Sequence, residues 1–114
     1  MIKMKKVNII LVLLSLLFVL SCDSNAIQDI SAVIEKPTYT AHVQPVFDAK
    51  CIGCHNGSQS PNLSNYNQVK LACTNGGVIC RIEGSCGGIM PPSGKMPQAT
   101  IDMITRWTDN GCPN

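Results

Sequence analysis

The stretch KCIGCHNG, residues 50–57, places Cys51 and Cys54 three apart, with His55 directly after the second cysteine. Three chemistries use that spacing: covalent attachment of haem, half of a zinc site, and a thiol–disulfide redox pair. Each demands its own compartment and its own partners elsewhere in the 114 residues, so the rest of the chain decides among them.

The compartment is read from the N-terminus. MIKMKKVNIILVLLSLLFVLSC has Lys3, Lys5 and Lys6 ahead of an uncharged apolar run from about Val7 to Leu20. That is the pattern of an export signal, and the run is shorter than the roughly 20 residues a bilayer-spanning helix needs. It ends in Val19-Leu20-Ser21-Cys22, which looks like the lipobox of a bacterial lipoprotein, where the cysteine sulfur receives a diacylglycerol and becomes the new N-terminus. Ordinary cleavage near Ser21, with Cys22 left free, is the alternative. The expected organisation is a signal over 1–21, a lipidated tether over 22–37 and a folded domain over 38–114. The expected location is the bacterial cell envelope, lipid-anchored on the periplasmic or cell-surface side.

Losing Lys3, Lys5 and Lys6 with the signal leaves six basic against seven acidic side chains. The mature chain is therefore close to neutral, and its charge implies no nucleic-acid partner. The segment DSNAIQDISAVIEK, 23–36, is polar and mixed, stops at Pro37, and reads as a tether. Residues 38–114 then form one small domain, in a chain with only two Phe, two Tyr and one Trp. A domain of under about 80 residues buries a modest core and usually needs a metal, a cofactor or disulfides to hold it.

With Cys22 assigned to lipid, six cysteines remain: Cys51, Cys54, Cys73, Cys80, Cys86 and Cys112. A zinc site commonly uses two close pairs, but only Cys51 and Cys54 are close, the others being seven, six and 26 residues apart. A thioredoxin-like pair sits at a strand-to-helix junction, and no strand-rich segment precedes Cys51. Export also favours disulfides over reduced, reactive thiols. Cys-x-x-Cys-His is the attachment sequence of c-type haem: the two sulfurs add to the two vinyl groups along one porphyrin edge, and the adjacent histidine is carried under the iron. His55 is then the proximal ligand.

The apolar spacing is helical. Tyr39, Val43, Val46 and Phe47 fall at i, i+4, i+7 and i+8, with Pro45 forcing either a kink or a helix start near it. Tyr66, Val69 and Cys73 predict a second helix, with Ser64 as N-cap and Asn75-Gly76-Gly77 as its stop. Ile101, Met103, Ile104 and Trp107 predict a last helix closed by Gly111. The first and last helices are expected to cross, with Phe47 and Trp107 near the crossing.

YTAHVQPVFDAKCIGCH, then PNLSNY, then GGIMPPSGKM, then IDMITRWTDNGCPN, a match over about 39–112, resemble the small monohaem class I c-type cytochromes, in a lipoprotein form. The resemblance implies an all-α fold, class I cytochrome c-like, with crossing N- and C-terminal helices and loops wrapped around one covalent haem c. It also implies a ligand loop carrying Met-Pro-Pro. The additional cysteines at 73, 80, 86 and 112 depart from what such domains need.

Several side chains compete for the second axial position. Met90 is preferred, because Gly87 and Gly88 before it permit close backbone approach and Pro91 and Pro92 after it stiffen the chain. Met96, in SGKMPQ, is a rival. His42, on the approach helix, is a lesser one, and Met103 reads as core. For Cys73, Cys80, Cys86 and Cys112, two bridges are expected. The favoured pairs are Cys73 with Cys80, around the Asn75-Gly76-Gly77 turn, and Cys86 with Cys112.

The expected function is one-electron transfer by a His/Met-ligated haem, not an enzyme, exchanging electrons with redox protein partners as a monomer. Two alternatives stand. One is a five-coordinate haem that senses a gas or reduces a peroxide. The other is a haem-free binding module held by disulfides or zinc.

Overall fold

The chain enters the folded unit through Pro37, which is buried, and immediately makes a π-helical turn, Tyr39–Val43, that runs into α1, Gln44–Lys50. Val43 N–H donates to Thr38 O at 3.2 Å, and the amide of Gln44 reaches back to Tyr39 O, both i→i+5 bonds. The wider turn answers the question posed by Pro45. That residue has no N–H and crowds the carbonyl four back; here it sits in the first turn of α1, with the π turn ahead of it absorbing the mismatch. The helix therefore starts before Pro45 in one geometry and continues through it in another.

The computed structural model describes residues 33–75 and 77–114, which belong to the compact unit Val33–Asn114. The expected signal, Cys22 and residues 23–32 of the expected tether lie outside the described residues. Three further helices complete the order: α2 (Tyr66–Thr74), α3 (Gly77–Glu83) and α4 (Gln98–Asp109). Among the described residues there is no strand, and the fold is all-α. No helix among them is long and apolar enough to cross a membrane.

The ends of α2 and α4 show how local sequence fixes them. Asn65, one residue after the expected Ser64, caps α2: its Oδ1 accepts the Gln68 N–H at 3.1 Å, while Gln68 Oε1 takes the Ser64 N–H at 3.1 Å. The first bond satisfies a donor that the first turn leaves free, and the second ties the residue before the cap to the helix. α4 ends in a Schellman arrangement, Gly111 N–H to Thr108 O at 3.1 Å and Cys112 N–H to Trp107 O at 2.9 Å. Gly111 takes a φ of +85°, which glycine tolerates without steric cost.

α3 has no counterpart among the helices that the spacing predicts. Asn75 does stop α2, but another helix begins at Gly77, and its Val78 and Ile82 are buried at i, i+4 spacing. The core gathers Val43, Phe47, Val69, Ile101, Ile104 and Trp107, each at most 1 % exposed. Tyr39 makes aromatic contacts to two other elements. Its ring centroid lies 6.0 Å from that of Trp107 and 5.2 Å, edge-on, from that of Tyr66. The tail closes this layer: Tyr39 N–H and Trp107 Nε1 both donate to Pro113 O at 2.8 Å, and Tyr66 OH donates to Cys112 O at 2.7 Å. On the outer side, Arg106 and Asn110 donate to the carbonyls of Ile34 and Glu35, drawing in residues of the expected tether.

Candidate functional site

The KCIGCHNG segment continues from α1 as a series of turns. Cys51 N–H donates to Phe47 O at 2.9 Å and His55 N–H to Cys51 O at 2.9 Å, so the helical hydrogen-bond pattern carries the motif forward from a buried phenylalanine. The loop beyond it is closed on His55 twice. The His55 carbonyl accepts the Leu63 N–H at 2.7 Å, and His55 Nδ1 lies 2.9 Å from Pro61 O. A carbonyl oxygen accepts and never donates, so Nδ1 holds a proton, and in the neutral ring it is Nε2 that carries the lone pair.

Cys51, Cys54, His55 and Met90 line one cleft of about 410 Å³, together with Pro91 and Pro92. Leu63, Ala72, Val78 and Ile82 supply apolar wall, and Lys50 and Arg81 add charge. That volume falls in the range of roughly 300–1,000 Å³ over which cofactor-sized molecules are bound. The donor set consists of two thiols, an imidazole with its lone pair free, and a thioether. It suits covalent attachment and two-sided ligation of a haem iron. Among the described residues, no group of three or more His, Cys, Asp or Glu side chains is placed to hold a metal ion, whereas a structural zinc takes four such ligands.

The rivals are occupied elsewhere. Met96 is buried in the core and does not line the cleft, and Met103 is also core. His42 Nδ1 accepts the Thr38 N–H at 3.0 Å, capping the π turn, and His42 does not line the cleft either. Burial pushes the Cys51 thiol up to about 11. A redox-active CxxC cysteine has its pKa lowered, not raised, so this environment does not favour thiol exchange.

The disulfide expectation needs correction. Cys80 is bonded to Cys86, with Cα atoms 5.4 Å apart, and neither Cys73–Cys80 nor Cys86–Cys112 is formed. The reason is α3. It places Cys80 on a half-buried face beside the loop that leaves the helix, while Cys73 and Cys112 are both buried in the core as free thiols. Burial first, and then the neighbouring Cys112, pushes Cys73 up to about 12.

The approach to Met90 is held from α3 by one residue that the sequence patterns do not single out. Met90 N–H donates to Arg81 O at 3.1 Å, and Arg81 Nη1 donates to Gly88 O at 3.0 Å. Gly87, at φ +69°, lies so close beneath the guanidinium that a Cβ there would stand 2.6 Å from Nη1. The close approach expected of this glycine pair is thus an approach to Arg81. The Val78 and Ile82 spacing could have revealed α3, but nothing local in the sequence links Arg81 to residues seven and nine positions on.

Comparison with models of known protein families, with curated proteins and with solved structures finds no match.

Proposed function

We propose that this chain is a one-electron carrier with a single covalent haem c, tethered by lipid at Cys22 in the bacterial cell envelope, on the periplasmic or cell-surface side. The observation that carries the reading is the His55 Nδ1–Pro61 O bond, which turns the other ring nitrogen into the one available for a metal, on a residue that lines the same cleft as Cys51, Cys54 and Met90. Metal-ligating histidines characteristically give their other ring N–H to such an acceptor, which fixes the tautomer and the ring orientation.

In this reading Cys51 and Cys54 would hold the haem through thioether bonds, each thiol adding its sulfur and its hydrogen across one vinyl group, and His55 and Met90 would ligate its iron. The bound haem supplies the reversible one-electron iron couple, and a thioether ligand favours its reduced form. Leu63, Val78 and Ile82 would give the bound group an apolar wall. With both His55 and Met90 as ligands the iron would have no open position for a substrate, which favours a carrier over a sensor or peroxidase. The class I cytochrome c-like wrapping of loops around the group, the redox protein partners and the monomeric state belong to the same proposal.

The test is the intact mass of the full chain produced together with a bacterial haem-attachment system. The expected product carries one haem that survives denaturation and acid extraction, and Cys51→Ser/Cys54→Ser carries none. A wild-type chain without covalent haem contradicts the proposal.

A further inference from the structure

The cleft's own residues explain what binds; the loop behind Met90 explains how firmly. Residues Gly84–Met90 leave α3 and fold back on it through several links, four of them made beyond Gly84 by the main chain or the disulfide sulfurs. The Cys80–Cys86 bridge ties the middle of the loop to the helix. Ser85 N–H donates to Cys80 O at 2.9 Å. Arg81 makes the other two, its carbonyl accepting the Met90 N–H and its guanidinium donating to Gly88 O. The last two links converge on the residues closest to the thioether, and both come from the same residue.

We infer that Arg81 is the positioning residue for Met90: through its carbonyl and its guanidinium it presets the backbone of Gly88–Met90, so that the thioether occupies the cleft without the loop having to order first. This rests on the haem reading above. The physical reason is that a thioether is a weak ligand, so that its occupancy depends on how little freedom the loop loses when it binds. A single-residue clamp of charged donor and backbone acceptor removes that freedom in advance. Gly87 is part of the device, because any side chain there would collide with the guanidinium.

The experiment uses the haem-loaded full chain and titrates it with imidazole, which competes with Met90 for the iron. Haem content and Soret intensity are recorded alongside the near-infrared sulfur–iron band and the reduction potential. Because Arg81 also lines the cleft, Arg81→Ala is compared with the wild type per haem bound. Imidazole is expected to displace Met90 at about one-tenth of the wild-type concentration, the size expected from losing one hydrogen bond to a charged donor, and the potential falls. Arg81→Lys, which keeps a charged donor, recovers part of the loss. If Arg81→Ala does not accumulate, Gly87→Ala is measured instead and is expected to show the same tenfold change. A haem-loaded wild type with the band, paired with a variant whose imidazole midpoint and potential match it, overturns this inference and leaves the haem reading standing. A wild type without covalent haem overturns the haem reading itself.

Discussion

His55 Nδ1 lies 2.9 Å from the carbonyl oxygen of Pro61, six residues on, and this bond sets which nitrogen of the ring is left as a free lone pair. Nitrogen NMR of the His55 ring in the folded chain before haem attachment is expected to report a proton on Nδ1 and none on Nε2. The opposite tautomer would remove the main support for His55 as a ligand.

The Cys80–Cys86 bridge should appear as a single linked pair in peptide maps made without reductant. A link from Cys73 to Cys80, or from Cys86 to Cys112, would contradict the structure. Closing so short a loop is worth about 2 kcal/mol in the chain-entropy model. Cys80→Ser/Cys86→Ser should lower the unfolding free energy by about that amount.

Cys73 makes stability depend on pH. Its thiol is raised from 9.0 to about 12 by burial, so the folded state keeps its proton where the unfolded state has already given it up. The stabilisation is fully present below pH 9.0 and is lost progressively as pH rises toward about 12. Denaturant titrations across that window should show a falling stability, and Cys73→Ala should flatten the slope. The same burial predicts that alkylating reagents at neutral pH leave Cys73 and Cys112 unmodified until the protein is unfolded. Rapid labelling of either in the native state would contradict the packing.

Much of the fold is legible in the sequence because it is local. The Ile101, Met103, Ile104 and Trp107 stripe is buried as its spacing requires, and Gly111 ends α4 in the left-handed conformation that glycine favours. Phe47 and Trp107 are both core, although the aromatic contact to Trp107 comes from Tyr39 in the π turn. That turn is hidden by Pro45, whose effect on the preceding residues depends on where the carbonyls can go. α3 is hidden by the glycine that opens it and the one before that in the sequence. Gly76-Gly77 reads as a stop, and seven residues give a short apolar signal. Without α3, Cys80 is misplaced, and the wrong disulfide pairing comes from that. At the site, the Cys51-Cys54-His55 spacing and the Gly-Gly-x-Met-Pro-Pro run point to residues that line one cleft, while the Arg81 clamp depends on tertiary folding and leaves no trace in spacing.

Trp107 anchors the small core, with no exposed surface and its Nε1 bonded to Pro113 O at 2.8 Å. Trp107→Ala should cost about 3–5 kcal/mol, enough to unfold a domain of this size. Trp107→Phe keeps most of the packing and loses the hydrogen bond to the tail. Its loss, read by thermal denaturation, should be clearly smaller; equal losses would mean that the hydrogen bond, not burial, dominates.

The His/Met carrier depends most directly on Met90, the thioether that lines the cleft while Met96 is packed in the core. The decisive measurement is the near-infrared spectrum of the oxidised, haem-loaded protein. The weak band of a sulfur–iron bond is expected in the wild type and in Met96→Ala and is expected to vanish in Met90→Ala, whose reduced form should then bind carbon monoxide. A band that survives Met90→Ala, or a wild type that never shows one, contradicts the His55/Met90 carrier.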